Sequence, residues 1–231
     1  MQLLKNIKWL LPICLVFGIV IFYASSLNEI ISFKEFINNY SELKEYTKTN
    51  KMQSYGLFIL LYILIVAFSI PIASLLTICG GSLFGWEAFF LIIFSATIGS
   101  TIVFIAAKTI FYEFFKNKTN AFQIKLENGF KKNDFLYLIS LRLIPLVPFW
   151  AVNVIPAFFN MRLKLYFLGT FFGIAPGTFV YVWFSIGFEK ILTEGNKPDF
   201  SIFNQPTIIG SFTAFGLLIL LVKVTLFSFM L

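Results

Sequence analysis

The sequence predicts an all-α polytopic membrane protein in which two opposed re-entrant helical hairpins form an inverted repeat with flanking transmembrane helices. Three observations carry this. Apolar runs of bilayer length recur at 9–24, 55–79, 86–107, 135–159, 165–188 and 207–229, where one spanning helix needs roughly 20 such residues. The chain is 58% hydrophobic and 13% charged, well away from the roughly one-half apolar and one-quarter charged balance of soluble domains; 231 residues cannot bury so many runs inside themselves. Finally, the runs 55–79 and 135–159 are broken by proline in the manner of two half-helices, and each is followed by a run that reads as a full span.

The first run follows Lys5 and Lys8. It reads as an N-terminal transmembrane anchor over 1–28, although Ala24-Ser25-Ser26 has the small residues of a signal-peptidase site. Residues 29–54 are polar, yet Ile30, Phe33, Phe36 or Ile37, Tyr40 and Leu43 recur at helical spacing, and Ser32 with Glu35 has the form of a capping box. Two readings stay open: an amphipathic helix on the membrane surface or a solvated connector.

The core is expected over 55–190. Its first hairpin, 55–85, is broken by Pro71, which removes a backbone donor, and ends in Gly80, Gly81 and Gly85. A single proline-kinked span is the alternative. A full span over 86–111 and a basic loop over 112–134 follow. The second hairpin, 135–160, carries Pro145, Pro148 and Pro156, a spacing that suits no continuous helix. A span over 165–188 completes the core, and 191–231 adds a polar loop and a last transmembrane helix. Non-helical backbone at membrane depth is tolerated only where it is buried in protein or lines a wet cavity.

Lysine placement puts the N-terminus and the loop 112–134 in the cytoplasm. Each hairpin then enters from the opposite side, which is the pattern of inverted-topology repeats. Leu61-Tyr62-Ile63 aligns with Leu136-Tyr137-Leu138, and Ser95 and Gly99 align with Gly173 and Gly177 after a three-residue slip.

The net charge of +7 reads as cytoplasmic lysines facing anionic lipid rather than as a nucleic-acid surface. Cys14 and Cys79 lie in apolar runs and give neither a disulfide framework nor a metal pattern. There is no histidine, and no phosphate-binding loop, dinucleotide fingerprint, zinc motif or nucleophile elbow. No cofactor, metal or catalytic residue is expected, and the chain is not read as an enzyme.

Four residues are candidates for substrate contact. Arg142 lies in LISLRLIPLVPFW, apolar on both sides. A charge at the centre of a spanning helix costs about 2.5–3.5 kcal/mol on insertion scales and usually faces a wet cavity, partner or ligand. Its planar fork suits a phosphate; the alternatives are snorkelling to the interface or capping carbonyls freed by Pro145. Asn153 either satisfies backbone left open by the prolines or touches substrate. Glu87 is either a proton-accepting carboxylate or boundary chemistry beside Trp86. Lys108 is either a snorkelling anchor or a lipid-phosphate contact. Gly169, Gly173 and Gly177 recur every four residues and let another backbone approach, and Pro176 would loosen that helix as a hinge.

The segments PIASLLTICGGSLFGW, SATIGSTIVFIAAK, LRLIPLVPFWAVN and LGTFFGIAPGTFVYV occur in that order. Over roughly 30–190 the chain resembles the VTT domain of the DedA superfamily, the SNARE-associated Golgi proteins, and within it the yeast Tvp-like branch. The resemblance implies opposed re-entrant hairpins and a role as a lipid scramblase or flippase. It places the first-hairpin motif on Pro71, Gly80, Gly81, Phe84 and Gly85. The basic residue after the next span falls on Lys108, where arginine is usual, the second-hairpin motif on Arg142, Pro145, Pro148 and Asn153, and the last glycines on Gly169, Gly173 and Gly177. Ile155-Pro156-Ala157-Phe158 departs from the usual small-residue turn, and Ala88 and Ser95 stand where glycine is common. The acidic pair of proton-linked members has no counterpart before Pro71.

These readings converge on a translocator of membrane lipid, either phospholipid or polyprenyl phosphate, in a bacterial inner membrane. A small-solute or ion transporter and a non-transporting assembly factor are the alternatives.

Overall fold

The computed structural model describes residues 33–70, 72–115, 133–143, 147–159, 161–193 and 206–230, and all regular structure among them is helical. The N-terminal anchor 1–28, Ser32 of the expected capping box, Pro71, Pro145 and most of the basic loop 112–134 lie outside the described residues.

The surface segment folds as two helices, α1 (Phe33–Asn38) and α2 (Tyr40–Thr49), instead of one helix over 29–54. The chain then turns by 117° at Asn50 into α3 (Lys51–Ala67), so the first hairpin starts four residues before the expected Tyr55. Phe36, Tyr40 and Thr47 form the buried face of the surface helices.

Helix α3 stops for a local reason. Ser69 takes a left-handed φ of 52°, Ile70 N–H donates to Ile65 O at 3.0 Å and Ser69 N–H to Val66 O at 2.9 Å. This pair of bonds and the left-handed residue make a Schellman stop, with Ile70 packed against Ile65 as the accompanying apolar contact. The sequence continues with proline, which cannot extend the helix. Helix α4 (Ala73–Phe84) returns antiparallel to α3. Tyr62 pairs with Thr77 Oγ1 at 2.9 Å, a Cβ on Gly80 would come within 2.4 Å of the Phe58 ring, and Phe58 and Tyr55 both meet Phe84. Gly85 ends α4 at φ 60°, ψ −136°, a backbone region essentially confined to glycine.

Helix α5 (Glu87–Phe115) then runs parallel to α3: Lys51 meets Glu87, and Val66 meets Gly99. The second half repeats this plan with helix α6 (133–143), α7 (Phe149–Phe158) and α8 (Leu163–Thr193). Asn133 Oδ1 accepts from Leu136 N–H at 3.1 Å, an N-cap that starts α6. Gly169 packs on Leu138 and Gly173 on Ile139 and Arg142, which sets α6 parallel to α8. Gly173 rather than Gly177 is therefore the counterpart of Gly99, because a Cβ at Gly177 meets nothing within 4 Å; the alignment by sequence is one helical turn out. Pro156 and Pro176 both lie inside helices. Each removes one backbone bond while the neighbouring turns hold, so Pro148 at the start of α7 marks a break in the second hairpin and Pro156 does not.

Helices α5 and α8 are antiparallel along their length: Trp86 meets Phe179, Phe94 meets Phe171, and Phe104 stacks on Tyr166. The returning arms exchange partners. Helix α4 of the first half packs on α8 of the second, with Ser82 Oγ donating to Ser185 O at 3.1 Å, and α7 of the second half packs on α5 of the first. Two apolar cores result, one around Phe58, Ile65, Val66, Ile92 and Val182, the other around Phe104, Leu138, Val152 and Tyr166. A last helix, α9 (Pro206–Met230), packs on α8 through Gly187 and Gly210.

By length and composition, two described helices can cross a membrane, Glu87–Thr109 and Leu163–Glu189, and the bent pair α2–α3 makes a third if it counts as one span. Phe90, Phe94, Ile98, Ile102 and Ile105 form an exposed apolar stripe along α5. Ser95, Ser100, Thr101 and Thr109 of that helix donate back to the carbonyl four residues earlier, whereas Thr97 Oγ1 is buried without a hydrogen-bond partner. The protein is an integral, multi-pass membrane protein.

The arm exchange depends on close contact at Gly81, where a Cβ would lie 2.5 Å from Ser185 Cβ. Gly81→Ala is expected to cost about 1–3 kcal/mol of overpacking. Gly177→Ala, in open space, is expected to be neutral or slightly stabilising through the helix propensity of alanine. Thermal unfolding of the two variants in detergent compares them; equal melting temperatures contradict the close-packed α4–α8 contact.

Candidate functional site

Helix α6 delivers Arg142 to the packed centre of the second half. A helical side chain leans toward its own N-terminus, and here the guanidinium reaches back to three side-chain oxygens. Nη1 donates to Asn153 Oδ1 at 2.8 Å, and Nη2 donates to Tyr166 Oη at 2.8 Å and Thr170 Oγ1 at 2.9 Å. The Tyr166 and Phe149 rings flank it at 5.6 and 5.9 Å from Cζ, within cation–π reach. Tyr166 Oη in turn donates to Ser100 O at 3.2 Å, tying the group to α5. Asn153, Tyr166 and Thr170 are fully buried.

Depth decides between the readings of Arg142. Ser100, at the level of the guanidinium, lies 13 residues after Glu87 and 8 before Lys108, about 20 and 12 Å at the helical rise. The head group therefore sits deep in the apolar span and does not snorkel to its edge. Among the described residues, its hydrogen-bond partners are side-chain oxygens.

Two features mark the group as chemically unfinished. Among the described residues, no carboxylate forms an ion pair with Arg142; the ion pairs found are Lys44–Glu189 and Lys51–Glu87. Arg142 Nε and Asn153 Nδ2, both buried donors, have no hydrogen-bond partner. A buried donor left open costs about 1–3 kcal/mol, more when charged. The arrangement offers positive charge and N–H groups, and the chemistry that completes it is an acceptor-rich anion.

The other candidates fall elsewhere. Lys108 lies one helical turn beyond Phe104, over its ring at 5.7 Å, and donates to Met161 O at 2.8 Å in the α7–α8 connection. It borders the Arg142 group through the stacked Phe104–Tyr166 pair and carries a structural load of its own. Glu87 does not join them. It sits exposed at the far end of α5, paired with Lys51 at 2.7 Å and accepting from Tyr55 Oη, which is boundary chemistry. Gly80, Gly81, Phe84, Gly169 and Gly173 set the helix contacts described above, whereas Pro148 caps the start of α7 and a Cβ at Gly177 would meet nothing within 4 Å. Pro71 and Pro145 are not described.

Tyr166, Thr170 and the Ser100 carbonyl were not anticipated. Tyr166 and Thr170 were legible in part: they stand two turns and one turn, respectively, before Gly173 on one helix face, and polar residues on a face marked by close-approach glycines point inward. No feature of the sequence indicated that Arg142 would reach them.

The profile of the VTT domain matches residues 70–186. Mouse transmembrane protein 41B is 26% identical over 164 residues, covering 69% of this chain and 56% of the relative. A transmembrane protein 41 homolog of Dictyostelium discoideum is 30% identical over 155 residues, covering 64% and 46%, and human transmembrane protein 41B is 27% identical over 158 residues, covering 66% and 54%. The chain thus spans about half the length of these relatives. No solved structure matches it. With its match extending over half of the chain, from the end of α3 through most of α8, the chain belongs to the VTT-domain family of the DedA superfamily.

Proposed function

We propose that this protein translocates a phosphate-bearing lipid, phospholipid or polyprenyl phosphate, between the leaflets of a bacterial inner membrane. The observation that carries the reading is the deep guanidinium of Arg142, without a carboxylate partner among the described residues and beside two open donors. A phosphate supplies both the charge and the acceptor oxygens that this group lacks. The donors are buried, so the state described is closed, and the head group reaches Arg142 when α7 parts from α5 and α8. Acyl chains stay in the bilayer, and no bond is made or broken.

In this reading the two hairpins are re-entrant, entering from opposite sides with the N-terminus in the cytoplasm. The exchange of returning arms between α5 and α8 supports an inverted repeat, the build on which alternating access rests in many transporters. An ion-coupled solute transporter would want a carboxylate in the core; the one proposed, Glu87, is exposed and paired. A non-transporting assembly factor would tolerate loss of Arg142.

Purified protein in liposomes is expected to move fluorescent phospholipid or polyprenyl phosphate faster than empty liposomes do. Arg142→Ala is expected to lower the rate about 10- to 100-fold, the equivalent of about 1.5–3 kcal/mol for a charge-assisted hydrogen bond. Arg142→Lys is expected nearer to alanine than to wild type, since ammonium lacks the fork. The rates are compared at equal reconstituted amounts, and full activity of the lysine variant overturns the phosphate clamp.

A cysteine at Lys48 is expected to react with an impermeant maleimide on intact cells, and one at Lys125 is expected not to. Equal labelling of both contradicts the opposed hairpins.

A further inference from the structure

A cavity of about 710 Å³ lies between the surface helices α1–α2 and the outer face of the first hairpin, remote from Arg142. Its walls are apolar, with Leu57, Leu61, Ile72, Leu75, Cys79 and Leu83 among them. Glu35 on α1, Asn39 between the helices and Glu42 on α2 stand at its surface-helix edge. Among the described residues, no lysine or arginine lines it. Lys44, on the same helix, is turned away, donating to Ser82 O and Leu83 O and paired with Glu189.

We infer that this cavity holds one chain of a membrane phospholipid whose head group carries an amine. Length supports a lipid chain. The wall along α4 runs from Leu83, near the boundary marked by Glu87 and Lys51, to Ile72 at the hairpin tip; these 11 residues span about 16 Å, and the hydrocarbon depth of one leaflet is about 15 Å. Charge supports the head group. The acidic edge favours an ammonium over an anionic head, because opposite charges attract and like charges repel at that range. The apolar run preceding α1 matches this edge less well, since residues 24–32 contain Glu29 and no lysine or arginine. The site takes a resident lipid; it is separate from the Arg142 group and of opposite electrostatic sense.

The test uses the full chain in nanodiscs with two photoactivatable probes, phosphatidylethanolamine and phosphatidylglycerol, each bearing a diazirine in one acyl chain. Cross-linked peptides are mapped by mass spectrometry. The amine-headed probe is expected to label the 54–61 and 72–84 walls at least several-fold more than the anionic one. Glu35→Gln with Glu42→Gln is expected to level the two probes, Leu75→Trp to remove wall labelling by filling the cavity, and Arg142→Ala to leave labelling unchanged. Equal labelling by both probes in the wild type, or labelling that survives Leu75→Trp, overturns the assignment. So does absence of wall labelling, as when 9–27 occupies the groove. Because the readout is labelling and not transport, failure of the translocation reading leaves it standing, and the reverse.

Discussion

Inside a bilayer, a backbone or side-chain polar group that leaves its helix must find a partner within the protein. Two helices here stop within the packed interior, and the surrounding fold is arranged around closing those stops. At the first, the Schellman bonds of Ser69 and Ile70 take up the last carbonyls of α3, and Tyr62 bridges to Thr77 on the returning arm. At the second, the bridge between arms is Arg142 to Asn153. Glycines at 80, 81, 99, 169 and 173 then let the arms lie against their neighbours at near-contact distance. Without them the polar bridges could not span the gap between helices.

The two halves share a plan and differ in chemistry. A neutral tyrosine–threonine pair ties the first hairpin, while a cation ties the second. The long helices cross antiparallel, so the Arg142 cluster draws on both halves: its stacking partner Tyr166 sits on Phe104 and donates to Ser100 O, both on α5. Among the described residues, the cation of this cluster comes from α6 alone and meets oxygens of α7 and α8.

Much of the fold was readable because proline, glycine and run length are backbone statements. The helical class and the proline-broken runs came from these, as did the glycine-marked faces of α4 and α8. What could not be read was mostly a matter of side-chain reach. Serine at a left-handed position gives no warning in the sequence, since glycine is the usual residue there. By sequence Pro156 is a breaker and Pro176 a hinge, yet each lies inside a helix whose neighbouring turns hold. At the site, Arg142 and Asn153 were legible as a polar pair in an apolar run. Tyr166 and Thr170 were obscured because tyrosine and threonine are ordinary at membrane depth, and Glu87 stayed open between a proton acceptor and boundary chemistry because its ion-pair partner, Lys51, is 36 residues away in the chain.

Lys44 gives the surface helix a part in the interior. Its ammonium closes the last carbonyls of α4 and holds Glu189 of α8, while Tyr40 on the same face donates to Ser82 O at 3.2 Å. One side chain at the water boundary thus fastens the returning arm of one half to the long helix of the other. Residues 33–49 are therefore no appendage of the core: taking away this one ammonium would open two carbonyls of α4 and the link from α2 to α8 in a single stroke.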